Sequence, residues 1–368
     1  KKNEYSFNDA HGLHFAGFLT FSDTPKSKVT NTLNLLNKLG VSIKVVTGDN
    51  ELVTRHICQE VGLQGDSFLL GKDIDKMTDG MLEEVVFDTV FFARVSPEQK
   101  VRIIKALQKN NHTVGFLGDG INDSPALHTA DIGISVNTAV DVAKDAASIV
   151  LLNKDLSVLA NGIVEGRRIF ANTIKYVLMG TSSNFGNMFS AAGASFILPF
   201  LPMSASQILL TNFLYDISQI AIPTDNVDPE MLNKPEKWDI SSIRKYMITF
   251  GPISSLFDFA TFGMMIYIFH AQQALFQTGW FVESLITEIL VIFLIRTKRV
   301  PFFTSKPGLA LTFSSLLIVT LGIGIVFSPL APFFDFVRLP GLYFSILVIF
   351  TIIYLGIVET VKYFSKII

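Results

Sequence analysis

The sequence predicts an α/β domain built on a parallel sheet, joined to an all-α polytopic membrane domain of six transmembrane helices. Three observations carry that expectation. Across residues 1–155, short apolar runs alternate with amphipathic stretches, the pattern of strand–helix–strand units with right-handed crossovers. Charge then thins: residues 1–168 hold 18 Lys/Arg and 21 Asp/Glu, and the 200 residues after them only 12 and 11. Those later residues contain six stretches long and apolar enough to cross a bilayer. The division falls at 155/156, with the cytosolic stalk of the first membrane helix on the membrane side.

In order, Leu13–Phe21 reads as a strand ending in the turn Ser22-Asp23-Thr24-Pro25-Lys26, where Asp23 suits a helix cap and Pro25 a first helical turn. Leu33, Leu36 and Leu39 follow at helical spacing, closed by Gly40. Val41–Val46 is a strand ending at Thr47-Gly48-Asp49-Asn50, and the helix after it stops near Gly62. A polar excursion precedes a strand within Val85–Val95, and Asp73-Ile74-Asp75-Lys76-Met77 within that excursion reads as a loop. Pro97 opens a helix to Lys109 that carries Lys100. Val114–Leu117, Ile132–Val136 and Ile149–Leu152 complete the strands, with a short helix near Ala139.

The stretch the rest is organised around is Val114–Leu127. Its apolar run stops at Gly118, and Asp119 and Asp123 follow with Gly120 between them and Asn122 beside the second. Ligands of open α/β sheets sit at the carboxyl ends of strands. Acids there, beside glycines that let backbone approach, suit a hard divalent cation and a phosphoryl group. Phosphoryl transfer through an acyl phosphate needs a carboxylate nucleophile, a hydroxyl or amide for the phosphate, a cation for its charge and an acid-bound Mg²⁺. Thr47, Lys100 and the Asp119/Asp123 pair supply three of the four in order.

The ordered set Asp23-Thr24-Pro25-Lys26, Thr47-Gly48-Asp49-Asn50, Ala93-Arg94-Val95-Ser96-Pro97-Glu98-Gln99-Lys100 and Gly118-Asp119-Gly120-Ile121-Asn122-Asp123-Ser124-Pro125-Ala126-Leu127 resembles the cation-transporting P-type ATPases. The resemblance implies a haloacid-dehalogenase-like phosphorylation domain with a Rossmann-like sheet, and ATP and Mg²⁺ as cofactors. It assigns Thr47, Gly48, Asp49, Lys100 and Asn122 to the catalytic site, Asp119 and Asp123 to the catalytic Mg²⁺, and Asp23 and Pro25 to a hinge. Leu117 departs from the threonine common in the family. The family's phosphorylated aspartate lies in an Asp-Lys-Thr-Gly-Thr run that does not occur here. The nucleophile, the actuator domain, the first membrane helices and most of the nucleotide domain are therefore expected upstream, and this chain alone is not expected to hydrolyse ATP. A start at Lys1 without Met fits that expectation.

The six expected spans are about 169–198, 204–223, 247–270, 279–297, 309–330 and 339–361. With residue 168 in the cytosol, inward segments carry Lys234, Lys237, Arg244, Lys245, Arg296, Lys298, Arg299, Lys306, Lys362 and Lys366, and outward ones only Arg338, as the positive-inside rule requires. No proline interrupts Asp155–Leu198, so one helix could reach on the order of 60 Å and act as a rod, unless Gly162, Gly166 or Gly180 breaks it.

Polar groups inside a bilayer are costly and therefore informative. Asn184 and Asn187 share one helical face, as Asn212 and Asp216 nearly do. Two amide-bearing faces and one carboxylate suit Mg²⁺, which dehydrates reluctantly; Ca²⁺ would normally meet more carboxylates. Interhelical hydrogen bonding is the other reading of these amides. Asp258 divides between an ion pathway and such a bond, while His270 and Trp280 read as interface anchors.

Ser182–Phe189, Leu198–Met203 and Leu214–Asp228 look like the bacterial magnesium-transporting branch of the family. That resemblance makes Asn187, Asn212 and Asp216 the transported-ion ligands with Asn184 beside them. It adds Glu288 as a further ligand, where related calcium pumps place an acid. It implies a multi-pass protein of the bacterial inner membrane, cytosolic soluble domain, ATP and the lipid bilayer as partners, and Mg²⁺ import. Another transported cation, or a non-catalytic membrane scaffold, are the alternatives.

Composition narrows the rest. A net charge of −2 with no basic run gives no reason to expect nucleic acid. The lone Cys58 excludes a disulfide framework and suits a buried position in a reducing cytosol. Lys1–His14 is polar and mixed, unlike a signal peptide.

Overall fold

The computed structural model describes residues 11–18, 29–63, 65, 67–153 and 155–365. Asp23, Pro25 and residues 19–21 of the first expected strand lie outside them. The described part of that expected strand, 13–18, is not in a strand, and Leu13, Phe15 and Phe18 are exposed. The chain divides into two compact units. One contains the described residues as far as Ala160 except Lys38–Gly40; the other contains those three and Asn161 onward.

In the first unit, elements run α1 (Val29–Lys38), β1 (Val45–Val46), α2 (Glu51–Glu60), β2 (Phe68–Leu70), α3 (Gly71–Ile74), α4 (Asp79–Val85), β3 (Phe91–Ala93), α5 (Pro97–Lys109), β4 (Gly115–Leu117), α6 (Ser124–Thr129), β5 (Ile132–Val136), α7 (Asp141–Ala146) and β6 (Ile149–Leu151). Among the described residues all strand pairs are parallel, as the alternation predicts. They form two three-stranded sheets, β1-β3-β2 and β4-β5-β6, with β1 and β4 each at a sheet edge.

Several boundaries differ from expectation for local reasons. Val85–Val95 splits into the end of α4 and strand β3. Thr78 caps α4 by accepting from Met81 N–H, and Leu82 and Val86 bury one helical face. Strand β2 is a three-residue run hidden in the polar excursion. The expected loop at Asp73–Met77 starts inside the single turn α3, and Asp75 accepts from Gln99 Nε2 at 2.6 Å. Phe92, Ile74, Leu82, Val86 and Ile103 form one core; Leu127, Ile134, Val136 and Ala143 form another. Cys58 is buried, and burial pushes its thiol above the ordinary range.

The second unit is helical: α8 (Leu156–Ile197), which begins at the end of the first unit, then α9 (Ala205–Gln219), α10 (Pro229–Asn233), α11 (Ile240–Gly263, continued as a π-turn to Ile268), α12 (Gln273–Ile295), α13 (Leu309–Val326) and α14 (Gly341–Ser365). Helix α8 is continuous over 42 residues, passing Gly162, Gly166 and Gly180 unbroken. Among the described residues, four helices are long and apolar enough to cross a membrane: α11 with its π-turn, α12, α13 and α14. Six were expected. Helix α9 has 15 residues, only about 22 Å, and ends before Pro223. The polar run Thr181–Asn187 lowers the hydropathy of α8. Helix α12 is enclosed, packing on α9, α11, α13 and α14, and nearly all its residues are buried.

Candidate functional site

The first site grows from the ends of β1 and β4 and the first turn of α5. Ser96 caps α5 in a reciprocal capping box with Gln99, and Pro97 starts it. This fixes Lys100 one turn in. The loop after β1 joins the loop after β3 through Val95 N–H to the Thr47 carbonyl (3.0 Å) and Arg94 N–H to the Asp49 carbonyl (2.9 Å). Arg94 itself takes a left-handed backbone conformation (φ 54°) and pairs with Glu51 at 2.8 Å. Thr47 Oγ1 donates to Asp49 Oδ2 at 3.0 Å and accepts from Asp49 N–H at 3.1 Å. Asn50 caps α2 by accepting from Leu52 N–H.

At β4 the chain turns sharply. Gly118 is buried, its N–H bonded to the Ile134 carbonyl and its carbonyl accepting from Ser135 Oγ at 2.9 Å. A β-carbon on Gly118 would lie 2.6 Å from that of Asp123, so this approach requires glycine. Asp123 receives Gly120 N–H at 3.2 Å and Lys100 Nζ at 2.7 Å, with Lys100 and Asp123 side chains 11% and 17% exposed. Asp119 and Asn122 are exposed, and Asp119 lines a cavity of about 850 Å³ with Gly118, Val136, Asn137 and Leu151 at the strand ends. Lys100, Asp123 and Asp119 thus gather at one sheet end, and Thr47, Gly48 and Asp49 are tied to the loop that leads into Lys100. A hydroxyl, an ammonium group and two carboxylates so placed can hold a phosphoryl group and offset its charge.

Within the helical unit the expected residues separate. Asn187 on α8 donates its side-chain amide to Glu288 on α12, which also accepts from Ser284 Oγ at 3.2 Å; Glu288 is 5% exposed. Asn184, Asn212 and Asp216 are exposed, the last two on one face of α9 with Leu209, Phe213 and Ile220. Ser183 and Tyr215 are buried beside Glu288, and Gln219 is buried next to Tyr215, a polar lining that the sequence alone does not single out. Trp280, expected at an interface, is 3% exposed and donates Nε1–H to Asp258 at 2.9 Å.

A third cluster ties helix ends together. Asp225, just past α9, accepts from Lys175 Nζ (2.8 Å), Arg296 Nε (2.7 Å) and Gly308 N–H (2.8 Å). Asn172 Nδ2 donates to the Pro223 and Asp225 carbonyls, and Arg296 reaches Ser305 and Asn226. Burial alone would raise the Asp225 carboxyl, but Arg296, Lys175 and the Gly308 N–H hold it below the usual carboxylate range.

Residues 200–364 match the family model described as cation transporting ATPase, C-terminus, and residues 4–131 match that of haloacid dehalogenase-like hydrolase. Curated relatives include proteins named magnesium-transporting ATPase, P-type 1, from Salmonella typhimurium and Escherichia coli. Each is 45% identical over 99% of this chain, which spans 41% of its length. A calcium-transporting ATPase 1 of Lactococcus lactis is 31% identical over 63% of this chain and 27% of its own length.

Proposed function

We propose that this chain, similar to the cation-transporting P-type ATPases over nearly its whole length, is the carboxy-terminal part of such a pump moving Mg²⁺ across a bacterial inner membrane, driven by ATP. The observation that carries the reading is the convergence of Lys100 and the Asp119–Asp123 turn at the end of β4, joined through the start of α5 to the Thr47 loop at the end of β1. In this reading the nucleophilic aspartate lies upstream of Lys1. Among the described residues β1 and β4 each have an unpaired edge, and a further parallel strand there would present its carboxyl end to Thr47, Lys100 and Asp119.

The residues fit a catalytic Mg²⁺. Asp119 and Asp123, supported by Asn122, offer hard oxygens, and the missing β-carbon at Gly118 lets the turn close on Asp123. Bound there, the ion offsets phosphoryl charge. Thr47 and the Gly48–Asp49 backbone hold phosphate oxygens, and Lys100 compensates their charge while steadying Asp123. An aspartyl phosphate formed and hydrolysed in this frame drives the cycle.

For transport, we assign Asn187, Asn212, Asp216, Asn184 and Glu288 to the Mg²⁺ path. The exposed amide–acid face of α9 suits contact with helices of the longer protein, since the chain spans about two fifths of its curated relatives' length. Helices α8 and α9 join the four apolar helices as the first two of six spans, and the soluble unit is cytosolic. Import is the direction proposed. The complete protein, reconstituted in liposomes with ATP, is expected to move Mg²⁺ into the compartment facing its soluble domain and to form an acid-stable phosphoenzyme. ATP-driven Ca²⁺ movement without Mg²⁺ movement would contradict the choice of ion, and the absence of a phosphoenzyme would contradict the pump.

A further inference from the structure

Helix α12 buries a second acid, Glu283, that has no part in the site above. Glu283 and Asp258 of α11 are each 2% exposed, and their carboxyl groups are within hydrogen-bonding contact. Asp258 has both oxygens occupied as acceptors, Oδ2 from Ser190 Oγ at 2.6 Å and Oδ1 from Trp280 Nε1–H at 2.9 Å. An indole N–H can only donate, so Oδ1 is an acceptor, and two donor groups at Asp258 favour it as the ionised member of the pair. Glu283 Oε2 is buried with no donor among the described residues. Two adjoining carboxylates without a cation would be strongly repulsive, whereas a proton on Glu283 gives it a donor for Asp258 and removes one charge. The facing titratable groups supply no positive charge: Glu288 on α12, and Tyr343 and Tyr354 on α14. Helix α8 contributes the Ser190 hydroxyl.

We propose that Asp258 and Glu283 form a buried proton-binding site, a carboxyl–carboxylate pair that shares one proton and whose occupancy opposes cation binding at Glu288. The first half rests on this geometry alone; the second rests also on the proposed transport of Mg²⁺ past Glu288. Glu288 lies five residues along α12 from Glu283 and interacts with it electrostatically. A divalent cation beside Glu288 favours the doubly ionised pair and expels the proton, so by linkage Mg²⁺ binds more tightly as pH rises. One linked proton changes the apparent affinity by at most about tenfold per pH unit.

The test uses the complete protein in liposomes. Infrared spectroscopy is expected to show a protonated-carboxyl band that disappears in Glu283→Gln, whose amide keeps the shape and still donates to Asp258. An unchanged band overturns the proton site, whatever ion is transported. In parallel, the pH dependence of the Mg²⁺ concentration that half-saturates ATP-driven uptake is expected to flatten in Glu283→Gln and in Asp258→Asn. A lost band with an unflattened slope in both variants overturns the linkage. A wild-type protein that transports no Mg²⁺ but loses the band in Glu283→Gln contradicts the transport reading while supporting the proton site.

Discussion

At Gly118 the backbone and the Asp123 side chain approach so closely that a β-carbon would collide at 2.6 Å. Gly118→Ala must therefore push Asp123 away from Lys100 or open the turn. The expected cost is about 1–3 kcal/mol of stability for an overpacked site, with phosphoenzyme formation in the complete protein falling alongside; thermal unfolding and ATP labelling measure the two. Lys100 is a sharper probe. Its ammonium group is mostly buried against Asp123 at 2.7 Å, so Lys100→Ala removes the partner of Asp123 together with the charge proposed for the phosphate. Loss of one preorganised charge-stabilising group typically costs roughly 10²–10³ in rate, and single-turnover phosphorylation at saturating ATP is expected to show it. Unchanged phosphorylation would remove Lys100 from the site. These residues were legible in sequence because chemistry and chain order coincide: glycine, two acids and a strand end occur together within one short stretch.

Among the elements, the knot around Asp225 joins α8, the segment after α9 and the end of α12 through two buried cations and a backbone N–H. Removing one partner of a buried ion pair leaves charge uncompensated, so Asp225→Asn is expected to destabilise the helical unit by about 3–5 kcal/mol. The sign with pH follows from its lowered folded value. The carboxylate contributes stability above its unfolded range and loses it as pH falls through the folded value, so thermal stability should drop in acid, and less so in Asp225→Asn. Melting curves of the detergent-solubilised protein across acidic pH check this. Element types were readable where one signal ruled, as in Ile132–Val136 and the proline-free α8. They were obscured where signals merged: apolar residues at the end of α4 ran toward β3 as one stretch, and β2 was too short to stand out. Helical spacing correctly grouped Asn212 with Asp216, but spacing does not say which face a helix buries, and α9 leaves that one exposed. The polar lining joins Ser183 of α8 to Tyr215 and Gln219, one turn apart on α9, so no single stretch of sequence shows it whole.

At the scale of the whole molecule, the proposed function couples phosphoryl chemistry at a strand-end site to cation movement through a sparse set of amide and acid oxygens. In that proposal the part-buried Asn187–Glu288 contact and the exposed Asn212–Asp216 face serve the same ion. The most direct measurement is ATP-driven Mg²⁺ flux in liposomes containing the complete protein, wild type beside Asp216→Asn and Asn187→Ala, with phosphoenzyme recorded on the same samples. Flux is expected to collapse in both variants while ATP still labels the protein, with hydrolysis no longer tracking Mg²⁺; wild-type flux in both variants would overturn the shared role of these residues.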